Sequence, residues 1–325
     1  MSVLSIIEIA DGKIKKASVE AAYYGSKVAE GLGVASVAVV LGESSADELA
    51  TLGQLGVTKV LHAADARFNN FDSKAFSKAV SEAANTVGAS VLVLSFNHNG
   101  KLLAPRLSVK LKAGYVPGAV ELPTFNGSTL NAKKNVFSGK AAAVYTVATD
   151  KKVIAVNPNS LPVLRGTGAA AVEAFTPNMA DSDFTSVLKG VDKIVGEIPL
   201  TEAEFVVSGG RGLKGPENWG LVLELAKELG AATACSRAVA DVDWRPHHEH
   251  VGQTGLTIRP NLYIAVGISG AIQHLAGVNS SKVIVVVNID PEAPFFKAAD
   301  YGIVGDAFEV MPKFLDEYKK FKAEH

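Results

Sequence analysis

Apolar positions in the first half of the chain alternate between two periods. Val3–Ile9 is a short apolar run and predicts a strand. Lys16–Leu32 carries Ala, Val and Leu at three- and four-residue spacing and ends before Gly33, which predicts a helix. Val34–Leu41 is continuously apolar, as expected of a strand buried on both faces. Ser44 and Ser45 can cap a helix running to Leu55. Lys59–His62 predicts a short strand, and Asp72–Val87 a helix with Asp72 as N-cap. Ser90–Phe96 predicts another strand, and Lys101–Lys112 a helix containing Pro105. This βαβα rhythm implies a parallel sheet with helices on both faces.

After Tyr115 the rhythm changes. Asn131–Val136, Ala141–Ala148 and Lys152–Val156 predict strands joined by polar turns, forming an antiparallel extension of the same sheet. Leu164–Val191 carries few signals. A boundary near Ile198-Pro199-Leu200, with several residues of latitude, divides the chain into domains 1–195 and 196–325. In the second, Glu204–Ser208, Leu262–Val266, Lys282–Val287 and Tyr301–Val304 predict strands. Helices are expected from Pro216 to Leu229, from near Ser269, and after Asp306. The fold class expected is α/β: two domains, each with a mostly parallel sheet flanked by helices.

Composition narrows the function. The chain has 325 residues, 48% of them apolar, and a formal net charge of -1. That is enough for two domains with sizeable cores. No basic block stands out, which argues against nucleic acid and against acidic membrane surfaces as partners. Cys235 is the single cysteine, so no internal disulfide forms, and no cysteine cluster suggests a metal. The N-terminus resembles neither a signal nor a transit peptide, and no run of ~18 apolar residues suggests a membrane span. A bacterial, cytoplasmic protein is expected.

Candidate chemistry concentrates in the second domain. Val251-Gly-Gln-Thr-Gly255 precedes the Leu262–Val266 strand, and Gly267-Ile-Ser-Gly270 follows it before a helix. Such a helix start favours anions, phosphate above all. An anion site and a tight turn with ordinary caps fit this stretch equally. Gly210, Gly212 and Gly215 satisfy G-x-G-x-x-G between strand and helix. An ordinary NAD site would place a carboxylate about twenty residues on. Ser236 and Arg237 stand there instead, which points to a different phosphate-bearing cofactor. Arg211, Ser236-Arg237, Ser269–His274, Asn288 and Asp306 follow successive strands. In a parallel sheet these ends share one edge, where a large ligand can lie. In the first domain, His98 follows a strand but reads as a solvated loop residue.

These residues resemble one family. Ser208-Gly-Gly-Arg-Gly212, Ser236-Arg237, Val251–Gly255, Tyr263–Gly277, Asn288–Pro294 and Ala299–Val304 resemble the electron transfer flavoprotein α subunit of bacterial type. Ala104–Leu107 and Lys110–Gly114 extend the resemblance more loosely into the first domain. The resemblance implies a doubly wound C-terminal domain that binds one FAD, in a heterodimer with a β subunit. AMP or a second FAD belongs, on this reading, to the partner subunit. No substrate is turned over. Electrons come from acyl-CoA and related dehydrogenases and pass one at a time to electron transfer flavoprotein-quinone oxidoreductase.

Carried onto this chain, the resemblance sets Arg237 over the flavin ring, Thr254 at its central nitrogen and His274 at the pyrimidine carbonyl. Gln253 and Gln273 belong to the flavin side. Arg211, Ser236, Ser269 and Gly270 serve the phosphates, and Asn288 and Asp306 the adenosine end. Gly252, Gly255, Ala271, Ile272 and Ala307 complete the cofactor-binding set. A guanidinium cannot deprotonate, so it stabilises negative charge at any working pH. Two other readings are an α subunit of an electron-bifurcating complex using NADH, and a non-redox nucleotide-binding module. Trp244–His250 holds three histidines and reads as a polar loop near cofactor or partner, with a metal site as the lesser alternative. Cys235 reads as a small buried residue rather than a reactive thiol.

Overall fold

The computed structural model describes residues 1–137, 139–191 and 198–324. The described residues form two compact units. The domain boundary expected after residue 195 lies outside the described residues.

The first unit is built on one large sheet. Its strands are β1 (Ser2–Ile7), β2 (Ala35–Leu41), β3 (Lys59–Ala63), β4 (Ala89–Ser95), β5 (Gly114–Ala119), β6 (Thr124–Asn126), β7 (Thr129–Val136), β8 (Ala141–Val147), β9 (Lys152–Val156) and β10 (Ala171–Ala174). The order is β8-β7-β5-β9-β4-β1-β2-β3-β10, with β6 paired to β7. The run from β5 to β10 is parallel throughout. Alternate residues of the central strands feed opposite faces. Val3, Val91 and Ile154 pack with Tyr24 and Val28 of α1 (Lys16–Leu32). Leu4, Leu92 and Val153 pack with Phe76 and Val80 of α2 (Ser73–Thr86) and Leu103 and Leu107 of α3 (His98–Leu111). Asp72 caps α2 as expected, accepting from Lys74 N at 2.9 Å and Ala75 N at 3.1 Å.

Three expectations change here. β7 and β8 do form an antiparallel extension, but Lys152–Val156 returns to the parallel centre between β4 and β5. The β5 strand, absent from the sequence reading, fills the position between them. The α3 helix starts at His98 rather than Lys101, because the Asn97 side chain caps it through Gly100 N at 2.9 Å. His98 is therefore helical, not a loop residue.

The second unit carries β11 (Phe205–Gly209), β12 (Ala232–Cys235), β13 (Leu262–Val266), β14 (Val283–Asn288) and β15 (Tyr301–Val304). All pairings are parallel, in the order β12-β11-β13-β14-β15. One face packs Val207, Ile264 and Val266 against α4 (Gly220–Leu229) and α6 (Ala307–Glu324). The other packs Val206, Tyr263 and Ala265 against Val278 of α5 (Ile272–Val278), Val251 and Phe295. This is a doubly wound arrangement. α5 begins at Ile272, three residues later than expected from Ser269, because Gly270 adopts φ +79° and interrupts the helical path. Among the described residues, no helix is long and apolar enough to cross a membrane.

Candidate functional site

A strand order of this kind has one switch point, where connections leave adjacent strands in opposite directions and a crevice opens at their carboxyl ends. Here it falls between β11 and β13. Gly210 N donates to Val266 O at 2.9 Å, and Gly212 N to Gly267 O at 3.0 Å. A Cβ on Gly210 would lie 2.2 Å from Gly267 O, and one on Gly212 2.8 Å from Gly267 Cα. The G-x-G-x-x-G spacing suggests a phosphate loop. The structure gives its first two glycines a packing task, letting two loops lie backbone to backbone, while Gly215 faces the Glu217 carboxylate.

Over this point opens a cleft of about 690 Å³. It gathers Arg211, Ser236 and Arg237 from the ends of β11 and β12, and Gly252, Gln253 and Thr254 from the turn before β13. Ser269, Gly270, Ala271, Gln273, His274 and Asn288 line its other side. Gly255, Ile272, Asp306 and Ala307 do not line it. Gly255 N closes the turn on Gly252 O at 3.2 Å, and Ile272 is the exposed first residue of α5. Asp306 caps α6 through Phe308 N at 3.0 Å and faces Lys214 Nζ at 3.7 Å. Ala307 is in the core beneath. Asp290, within the Asn288–Pro294 motif, also lines the cleft, as do Ala238 and Asp241, which no sequence feature singled out. Asp241 had a signal, its i,i+4 spacing from Arg237.

Hydrogen bonds and close contacts fix the cleft walls. Gln253 N donates to Gln273 O at 2.7 Å, tying the Gly252–Gly255 turn to α5. A Cβ on Gly277 of α5 would lie 2.4 Å from Gly252 N, so the helix touches the turn backbone directly. Asn288 Nδ2 donates to Ile268 O at 2.9 Å and Oδ1 accepts from Asp290 N at 3.0 Å, joining the loops after β13 and β14. Ser236 stands at the N-cap of Arg237–Ala240, but its hydroxyl makes no cap bond. His274 N gives the first helical bond of α5, to Ala271 O at 2.9 Å, and the preceding amides have no intrahelical acceptor. Arg237 Nε pairs with Asp241 Oδ2 at 3.2 Å, with side chains 64% and 52% exposed. Such an exposed i,i+4 pair contributes about 0.3–0.5 kcal/mol, so it is a weak competitor for the guanidinium.

His274 is buried, and its Nε2 lies 2.8 Å from the hydroxyl of fully buried Tyr263. Its Nδ1 is closed to water and has no hydrogen-bond partner of ordinary geometry. Burial, then the nearby His250 ring, push its pKa down to about 4, against a weak upward pull from the Val251 backbone. The imidazole is therefore neutral when folded, while the unfolded chain binds a proton below about 6.5. Its contribution to stability is complete above pH 6.5 and is lost as pH falls from there to 4, at up to about 1.4 kcal/mol per pH unit. His274→Gln removes that titration. Its melting temperature should fall less between pH 7.5 and 4.5 than that of the unaltered chain; parallel curves would show that His274 does not stay neutral.

The histidine-rich segment divides. Glu249 is buried, paired with Arg245 and accepting from Thr233 Oγ1 at 3.2 Å. His250 turns into the cleft, where burial lowers its pKa and Asp241 opposes the shift. Among the described residues, no group of His, Cys, Asp and Glu is arranged to hold a metal. Burial pushes the Cys235 thiol up to about 12. A thiol of that pKa is unreactive.

A cleft of this size is within the range for small-molecule and cofactor sites. Two arginines and uncommitted helix amides suit an anionic ligand. Fold and cleft together are those of a doubly wound nucleotide-cofactor domain. Comparison with known proteins carries this further. Residues 3–180 match the electron transfer flavoprotein domain, and residues 199–279 the electron transfer flavoprotein FAD-binding domain. The chain is 34% identical over 320 residues to the electron transfer flavoprotein subunit alpha of Bacillus subtilis, covering 98% of this chain and 97% of that protein. It is 37% identical over 319 residues to the corresponding protein of Syntrophomonas wolfei, covering 97% and 98%. It is 34% identical over 315 residues to Protein FixB of Clostridium saccharobutylicum, covering 95% and 94%. The chain belongs to the electron transfer flavoprotein α-subunit family.

Proposed function

We propose that the chain is the FAD-holding half of a heterodimeric electron carrier, binding one FAD in the switch-point cleft and working in the bacterial cytoplasm. Its partner is an electron transfer flavoprotein β subunit. Acyl-CoA and related dehydrogenases supply electrons, a quinone oxidoreductase receives them, and no substrate is turned over. The observation that carries this reading is the convergence of cationic, hydroxyl, amide and imidazole groups on one cleft within the FAD-binding domain of the family. When bound, the flavin supplies the redox chemistry, accepting and releasing electrons.

The chain's own groups bind and tune. Arg211, Ser236, Ser269 and Gly270 hold the phosphates, and Gly252, Gln253 and Gly255 shape the turn that covers the ring. Thr254 donates its hydroxyl to the ring, and Arg237 keeps a permanent positive charge beside it. Gln273 and His274 close the flavin side, and Asn288 orders the loop at the adenosine end. Asp306 and Ala307 act from beneath, by seating α6 behind that loop. Fixed donors aimed where negative charge develops stabilise it without reorganisation.

The test is the visible spectrum of the chain co-expressed with its β subunit, titrated with dithionite under argon. One flavin per heterodimer, reduced in two separable one-electron steps, is expected. Two flavins, one reducible by NADH, would replace this reading by the bifurcating one. No flavin would leave only a nucleotide-binding module.

A further inference from the structure

Of the two ring nitrogens of His274, Nε2 is occupied by Tyr263 Oη at 2.8 Å and Nδ1 is closed to solvent. Which kind of group Nδ1 then offers depends on the proton between Nε2 and the phenol oxygen. If the imidazole donates to the phenol, Nδ1 is a bare acceptor. If the phenol donates to Nε2, Nδ1 carries the N–H. Burial pushes the Tyr263 phenol pKa far above its usual value and holds His274 neutral, so neither group leaves this pairing by ionising near pH 7. Between neutral partners the phenol is the stronger acid and the imidazole nitrogen the stronger base. The favoured arrangement is therefore O–H donating to nitrogen.

The packing leaves the phenol no easy alternative. Tyr263 sits at the middle of the sheet, fully buried, with His274 and Phe295 rings at 6.1 and 6.2 Å between centroids. The His274 ring is held edge-on by Phe295, centroids 5.7 Å apart at 82°. Buried Ser208 on the adjacent strand β11 makes no ordinary hydrogen bond, and its hydroxyl can donate to the phenol oxygen. On the far side of the imidazole, the Val251 backbone acts as an acceptor facing the ring. Both ends of this chain, Ser208 to Tyr263 to His274, favour a proton on Nδ1.

We propose that Tyr263 is a positioning residue: by donating its hydroxyl to Nε2 it locks His274 as the Nδ1–H tautomer and so fixes the ring in the wall of the cofactor cleft. This rests on the cofactor reading of the cleft given above. An unlocked histidine would spend part of its time as the Nε2–H form, with an acceptor lone pair turned on the Val251 backbone acceptor. A buried acceptor–acceptor contact forfeits a hydrogen bond and leaves two groups desolvated.

The experiment is long-range 15N–1H NMR of the heterodimer with 15N-labelled histidine, the His274 signals assigned by their loss in His274→Gln. The expected result is a pyrrole-type Nδ1 and a pyridine-type Nε2 at pH 7. Tyr263→Phe keeps the ring and removes only the donor; it should move His274 toward the Nε2–H form and weaken FAD binding roughly 3- to 10-fold. An Nε2–H tautomer in the unaltered protein overturns the proposal. So does a Tyr263→Phe protein whose tautomer and FAD affinity are both unchanged. If Tyr263→Phe does not fold, the tautomer of the unaltered protein decides alone. Heterodimer isolated without FAD would refute the cofactor reading, whereas the tautomer, measured on the ring itself, still decides the role of Tyr263.

Discussion

Gly210→Ala is expected to abolish retention of FAD through desalting. The added Cβ would lie 2.2 Å from Gly267 O and 2.7 Å from Gly267 C, both backbone atoms. No flexible side chain can yield there. Gly267 is itself held by its N–H to Val287 O at 2.9 Å, and Gly210 by its N–H to Val266 O at 2.9 Å. Relief requires parting β11 from β13 at the point over which the cleft opens. Overpacking of a tight site costs about 1–3 kcal/mol, which corresponds to a fall of roughly 3–10 °C in melting temperature. Binding suffers more, because Arg211 and Ser269 shift with the two loops. Gly220→Ala is the control, since nothing lies within 4 Å of its Cβ. Alanine at that helix start should be neutral or slightly stabilising. Flavin absorbance per heterodimer and a thermal melt read both effects; full FAD content with an unchanged melt in Gly210→Ala would remove the packing argument.

That contact marks where the sequence was legible and where it was not. Strand β13 matches its expected bounds, Leu262–Val266, because Pro260 and Gly267 bracket a run that is buried on both faces. Tyr301–Val304 also matches. The strand ends gather at one edge because every pairing in that sheet is parallel, a consequence of the βαβ rhythm. Strand β5 escaped notice because Gly114, Pro117 and Gly118 read as turn residues. Lys152–Val156 follows an antiparallel pair in sequence, and nothing local says that it crosses back to the parallel centre. The short edge strand β10 lacks an apolar period, since most of its residues are exposed. Within the cleft, residues that follow strands could be anticipated. The bond between Tyr263 and His274 could not, because it joins the middle of a strand to a helix across the sheet face, a contact set by tertiary packing alone.

Arg237→Ala is expected to lower the potential of the bound flavin. Negative charge gained on reduction interacts favourably with the guanidinium, so removing the cation makes reduction harder. The size follows from exposure. The Arg237 side chain is 64% exposed, so water screens it nearly as in bulk. A unit charge about 4 Å away then contributes about 1 kcal/mol, or roughly 40 mV for a one-electron step. Asp241 opposes the arginine from 3.2 Å. Asp241→Asn should therefore shift the potential the other way, by less than the arginine change, because the carboxylate acts through its pairing with Arg237 as well as directly. Both shifts should shrink at about 1 M salt, where the Debye length falls to ~3 Å. Spectroelectrochemical titration of the two variants at low and high salt separates this from a structural effect. A potential that drops equally at both ionic strengths would mean that Arg237 orders the cleft rather than supplying charge, and a potential that does not move would remove Arg237 from the flavin's surroundings.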